Sequence, residues 1–282
     1  MLTDILTAVR PTAVPKAIVS ISTTSDDKII GPPRASSIYS ACMRQHVLGT
    51  IYKLNYRDVT GFTRQLTFDI GHAMHTLIQN SNDRYFKEQR RGHWKCVACG
   101  IVSPFGKPPT ENCPYCGANT EALIYHEFEL KIEKPYYVSG HPDLFIAPSE
   151  APNKIRVVEL KTMSGEKFKT LVAPLVEHVY QLHTYMWACG LRKNDLSIWL
   201  DDEVGYITYI SKKEVSGELP IKTFTVNREV RVLKDIFDRL QQYKEGIEDN
   251  IIPEPLDQCV TSKFDHWRAK NCVARKLCKE YS

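Results

Sequence analysis

Asp143, Glu159 and Lys161 stand where a sheet-forming chain would normally place apolar residues, and this restricts the fold more than any other feature. The segment GHPDLFIAPSEAPNKIRVVELKT, Gly140 to Thr162, holds two strand-like runs joined by the turn-forming stretch PSEAPN. Asp143 heads the first run, and Glu159 and Lys161 close the second. Side chains alternate across a strand, so Glu159 and Lys161 share a face. A hairpin through the turn brings Asp143 beside Glu159. Two carboxylates meeting on an apolar sheet repel each other unless a cation neutralises them. A hard divalent ion does so, taking carboxylates, waters and phosphate oxygens as ligands. A lysine two residues on adds positive charge beside an attacking water or a scissile phosphate. Taken alone, Glu-x-Lys also fits a solvated ion pair on a sheet face.

The rest of the chain supplies elements for that sheet. SSIYSACMRQHVLGTIYKL has helical spacing, with Ser36 or Ser37 as N-cap, and a second helix is expected over about residues 69–89. Strands are expected in ALIYHEFELKI, YYVSGHPDLFIA, KIRVVELKT, LSIWLD and GYITYIS. APLVEHVYQLHTYMWACG reads as a helix ending at Gly190, and a long amphipathic helix is expected over about residues 227–248. The fold class expected is α/β: a central mixed β-sheet of about five strands flanked by helices.

Four cysteines form two Cys-x-x-Cys hooks, Cys96/Cys99 and Cys113/Cys116, with thirteen residues between them. Two hooks give four thiolates for a closed, tetrahedral structural Zn2+ site resembling a zinc ribbon. Gly100 and Gly117 follow the hooks, where a positive φ lets the loop turn under the metal. Lys95, Lys107, His93, Trp94 and Phe105 add a mixture of basic and aromatic groups suited to single-stranded nucleic acid. A rigid flap or a docking knob is the alternative role. Cys259, Cys272 and Cys278 lie in the tail with no hooked pair, a poor zinc pattern by itself. Buried free thiols or a second zinc remain open there. Cys189, beside Trp187 on an apolar helix, reads as core.

The order of these pieces resembles one family. GHPD, fifteen residues, then ELK is similar to the core motif of the PD-(D/E)xK nuclease superfamily. His75 in GHAMH upstream, and Gln181 and Tyr185 in QLHTY downstream, resemble its RecB-like branch, which includes AddB nucleases and CRISPR-adaptation exonucleases. The likeness covers roughly residues 36–282, with the zinc ribbon as an insertion. It implies a restriction-endonuclease-like core in which Asp143, Glu159 and the backbone carbonyl of Leu160 bind Mg2+ or Mn2+, with His75 as a further ligand. Lys161 would orient the nucleophilic water, and Gln181 and Tyr185 would position that water, Lys161 or the DNA backbone. His72 is the nearest competitor of His75. His141, another imidazole close to the site, ranks below His75. Several members of the branch hold a 4Fe–4S cluster with one cysteine before the core and three after it. Cys42, Cys259, Cys272 and Cys278 fill those places, although the family tail commonly carries a hooked pair that is missing here. The implied organisation is a lead-in at 1–34, a helical part at 35–92, the ribbon at 93–120, the nuclease core at 121–250 and a cysteine-containing basic tail at 251–282.

Composition limits the partners. The net charge is +4, from 37 basic and 33 acidic residues, which permits a polyanion without demanding one. The basic residues Lys263, Arg268, Lys270, Arg275, Lys276 and Lys279 cluster in the tail, where phosphates are a plausible target. No stretch approaches a membrane span, the N-terminus does not read as a signal peptide, and an intracellular location is expected: cytoplasm or nucleoid, or the host cell for a viral protein. No Gly-x-x-x-x-Gly-Lys loop is present, so unwinding would fall to a helicase or a recombination or replication partner. The function expected is a DNA exonuclease on single strands or free ends in replication, recombination or repair. A structure-specific endonuclease and a non-catalytic nucleic-acid-binding adaptor are the alternatives.

Overall fold

The computed structural model describes residues 28–56, 62–80, 88–132, 136–191, 200–213 and 220–281. Most of the expected lead-in, most of the strand LSIWLD and the end of the second expected helix lie outside them. The strands are β1 (Lys28–Ile29), β2 (Asn55–Tyr56), β3 (Arg90–Arg91), β4 (His93–Cys96), β5 (Leu123–His126), β6 (Leu130–Ile132), β7 (Val138–Gly140), β8 (Leu144–Ile146), β9 (Arg156–Met163), β10 (Val204–Ser211) and β11 (Ile221–Asn227). The helices are α1 (Met43–Ile51), α2 (Phe62–Asn80), α3 (Gly165–Thr170), α4 (Val176–Leu191), α5 (Val230–Glu248), α6 (Asp257–Thr261), α7 (Trp267–Lys270) and α8 (Arg275–Glu280).

The central sheet has five strands in the order β11-β10-β9-β8-β3, and it is mixed. β8 and β9 pair antiparallel through the expected turn, with Leu144 opposite Val158 and Ile146 opposite Arg156. β9 and β10 pair parallel, a connection that needs a crossover, and α3 and α4 supply it. β9 is central and covered on both faces. Val157 faces a core with Phe145, Leu182, Met186 and Ile207, which seats α4 on the sheet. Val158 and Leu160 face Leu144, Ile78, Trp94 and Ile210, a core reached by α2 and by the strands that flank the cysteine-rich loop. α5 lays Val232, Leu233, Ile236, Leu240 and Tyr243 against Met43, Val47 and Trp187, the stripe its helical period predicts.

Several local readings change. α1 begins at Met43 with Cys42 as its N-cap residue, and Ser36 and Ser37 belong to a separate 3-10 turn whose Ser37 side chain bonds Arg34. Gly190 lies inside α4 rather than capping it. The run ALIYHEFELKI splits into β5, which pairs with β4 beside the cysteine-rich loop, and β6, which pairs with β7. β11 was not expected from sequence: its burial is mostly exposed or intermediate, so it carries no continuous apolar signal.

Candidate active site and cysteine sites

Asp143 lies one step beyond the β8–β9 ladder. The strands part there, and the Asp143 side chain takes the place of a main-chain acceptor: Oδ2 receives the Leu160 amide at 2.7 Å. Asp143 is 8% exposed and Glu159 2%. Alternation puts Glu159 and Lys161 on the α4 face, and Lys161 Nζ lies 2.6 Å from Glu159 Oε1 and donates to Gln181 Oε1 at 2.9 Å. Gln181 Nε2 in turn donates to the Tyr185 hydroxyl at 3.0 Å, one helical turn on, and Tyr185 donates to the His141 carbonyl at 3.2 Å. His75, from α2, places Nδ1 3.1 Å from Asp143 Oδ1.

The structure therefore brings Asp143, Glu159, Lys161, His75, Gln181 and Tyr185 into one network. His72 is exposed and outside it. His141 enters through its carbonyl, while its side chain is exposed. Leu160 contributes its amide, and its side chain is fully buried in the core.

Two acids meet in the buried part of the site. Glu159 Oε2 is buried and meets no hydrogen-bond donor among the described residues. Burial first, and then the Asp143 carboxylate, push the Glu159 carboxyl up to about 8, against the opposing pull of Lys161. A divalent ion would neutralise both acids and take the bare oxygen, so the donor set suits one. Burial, with Glu159 as the next cause, pushes the Tyr185 phenol well above its usual range, so it stays a neutral donor.

Two contributors were missed from sequence. Gln79 is 6% exposed and lies one turn after His75 on α2. Its Nε2 donates to the Asp143 carbonyl and to Glu127 Oε1, both at 2.9 Å, while its own carbonyl accepts from the fully buried Arg90 at 2.6 Å. His75 and Gln79 thus hold Asp143 by its side chain and its backbone. The i, i+4 spacing of the two residues was the available signal. Gly140 is the second: a Cβ there would lie 2.6 Å from the Tyr185 ring, so the Gly of GHPD admits the tyrosine.

In the first cysteine set, the sulfurs of Cys96, Cys99, Cys113 and Cys116 all lie within 4.8 Å of one another. The Cys96–Cys116 and Cys99–Cys113 separations are 3.7 and 3.9 Å. A tetrahedron with Zn–S bonds of about 2.3 Å has edges of about 3.8 Å. The set could hold such a metal. Gly100 and Gly117 take φ of 77° and 74°, and each donates its amide to the carbonyl of its hook's first cysteine at 2.8 Å. The amide of Cys99 is the leading cause that lowers the Cys96 thiol to about 7, while burial and then the neighbouring thiols hold Cys99 and Cys116 above their usual range. Of the aromatics expected to meet nucleic acid, Trp94 is buried and Phe105 half-buried. Trp94 is 2% exposed in the core behind β8 and β9, and Phe105 packs edge-on against Phe145. Both pack against the cores of the sheet and anchor the hooked-cysteine loop to it.

In the second set, Cys42 precedes α1, Cys259 lies on α6, Cys272 before α8 and Cys278 on it, and all four line one cavity. Burial first, and then Cys42, Cys278 and Cys259, raise the Cys272 thiol to about 11. Among the described residues only the first set has its sulfurs within single-ion range. Arg44 is 3% exposed and ties this region together, donating to the carbonyls of Pro253 at 2.7 Å and Cys278 at 3.1 Å. Cys189 is fully buried.

No family model matches the chain, and no curated protein does. Two solved structures of the alkaline exonuclease LHK-Exo of Laribacter hongkongensis, one in complex with dAMP, align with it at 10% identity. The alignments cover 83% of this chain and 93% and 94% of those chains, with TM-scores of 0.44 and 0.41. So distant a likeness speaks to neither substrate nor chemistry.

Proposed function

We propose that this chain is a divalent-metal-dependent DNA nuclease of the PD-(D/E)xK superfamily, RecB-like branch, with an inserted zinc ribbon. The observation that carries the reading is the Glu159 carboxylate: buried beside Asp143, clasped by Lys161 on one oxygen and bare on the other. A nucleic-acid-binding adaptor gains nothing from so costly a charge cluster.

Asp143, Glu159 and the Leu160 carbonyl would hold Mg2+ or Mn2+, with His75 beside them. The ion would supply Lewis acidity toward a phosphoryl oxygen and a lowered pKa for water. The chain's own residues do the rest. Lys161, held between Glu159 and Gln181, keeps an ammonium where negative charge develops on the phosphate. Gln181 fixes Lys161 with its oxygen and Tyr185 with its nitrogen, so one amide sets both. Tyr185 ties α4 to the segment that enters Asp143. The reaction is phosphodiester hydrolysis, and the substrate class is DNA with single strands or free ends, in replication, recombination or repair.

The hooked cysteines fit structural Zn2+. The wider set of Cys42, Cys259, Cys272 and Cys278 fits a 4Fe–4S cluster better than a single ion, because the four line a shared cavity without closing to ion-binding distance. A helicase or recombination partner would supply any unwinding. Incubation of the protein with 5′- and 3′-labelled single- and double-stranded DNA, with Mn2+ or with chelator, tests the assignment. Cation-dependent release of mononucleotides or short fragments is expected. Binding without cleavage under every condition would favour the adaptor, and cleavage confined to branched or flapped DNA the endonuclease.

A further inference from the structure

Arg275 opens α8 three residues before Cys278, so both side chains lie on one helical face. It lines the cavity that the four cysteines share. Its Nε is buried and has no hydrogen-bond partner among the described residues, and its guanidinium otherwise comes only within 4.0 Å of the exposed Asp265 carboxylate. The neighbouring arginines are engaged with the main chain: Arg44 with the Pro253 and Cys278 carbonyls, Arg268 with the Ser40 carbonyl. A buried N–H with no acceptor is costly, and the cavity beside Arg275 is lined by the four cysteines, by hydrocarbon and by the side chain of Gln45, which is not bonded to that N–H. An acceptor is supplied when the cysteines carry a group with electron-rich sulfur.

We infer that Arg275 tunes the iron–sulfur group of this cavity, its Nε–H donating to cluster or cysteinyl sulfur and its charge favouring the reduced state. The inference rests on the cluster reading above. Reduction adds one electron to the iron–sulfur group, supplied in the test by dithionite, and makes or breaks no bond in the protein. A donor and a positive charge beside the sulfurs stabilise the more negative, reduced form and raise the reduction potential. Arg275 is thus a positioning and tuning residue rather than a ligand.

The test uses the full chain purified without oxygen, with iron and acid-labile sulfide assays and a dye-mediated redox titration. Three variants are compared: Arg275→Gln, Arg275→Lys, which keeps the charge but not the Nε donor, and Lys276→Gln, an equal charge change at an exposed neighbour. The expected result is full iron and sulfide in all of them, a potential shifted to more negative values in Arg275→Gln, a smaller shift in Arg275→Lys and none in Lys276→Gln. Should Arg275→Gln shed its iron, Arg275→Lys carries the comparison. Wild-type protein that holds iron, with Arg275 variants at the wild-type potential or shifted no further than Lys276→Gln, overturns this inference alone. Wild-type protein with zinc or no metal in the tail overturns the cluster reading and the inference together.

Discussion

A carboxylate that is 2% exposed, paired with an ammonium and still left with a bare oxygen makes pH the natural probe at the residue scale. Glu159 is raised from 4.5 to about 8, so the metal-free folded state binds its proton more tightly than the unfolded chain does. Its contribution to stability is full below about pH 4.5 and is lost as pH rises through about 8. A divalent ion held there as proposed would compete with that proton. Melting temperature in chelator should therefore fall between about pH 5 and pH 8, and the gain on adding Mg2+ or Mn2+ should grow across the same window. Glu159→Gln should flatten both trends. Differential scanning fluorimetry across pH reads them, and a cation effect independent of pH would contradict the assignment. The acids and lysine were legible in sequence because charge interrupted an apolar, alternating pattern. Gln79 and Gly140 were not, because their importance lies in what they touch across 64 residues for the Gln79–Asp143 bond and in the α4 tyrosine that Gly140 admits.

At the scale of elements, the site exists because three of them converge: the β8–β9 end, α2 with His75 and Gln79, and α4 with Gln181 and Tyr185. Gln79→Ala frees the Asp143 carbonyl and Glu127 from their shared donor, and the expected loss is about 1–3 kcal/mol of stability together with reduced activity. Gly140→Ala forces a Cβ against the Tyr185 ring, so activity should fall while thermal unfolding shows a cost of about 1–3 kcal/mol. Wild-type activity in both variants would show that neither convergence matters. The proposed zinc site gives a separate expectation. Metal analysis should find one zinc per chain lost in Cys113→Ser, with faster proteolysis between the hooks and little change in the sheet. The β8–β9 hairpin was legible from alternation and its turn, and the α5 helix from its period. β11 was missed although Phe224 and Val226 alternate with Thr223, Thr225 and Asn227, because two apolar residues on a sheet-edge strand are a thin signal, and the split of the β5–β6 run depended on which partner each half found. Trp94 was misread because composition alone does not distinguish a stacking platform from a packing anchor.

At the scale of the whole molecule, residues near both ends of the described chain close on each other. Cys42 meets the tail cysteines around one cavity, and Arg44 bonds the Pro253 and Cys278 carbonyls across 209 and 234 residues. Long-range closure of this kind holds α1 and α5 against α4, and through α4 it supports Gln181 and Tyr185. No described helix is long and apolar enough to cross a membrane. The central claim is that Asp143 and Glu159 grip a divalent cation while Lys161 readies water to split DNA linkages. Its most direct test is degradation of end-labelled DNA with Mn2+ by wild-type protein, Asp143→Ala and Lys161→Ala, each shown folded by circular dichroism. Cation-dependent cleavage by wild type and a loss of at least about 10²-fold in both variants is the predicted result. Near-wild-type cleavage by either folded variant would contradict it.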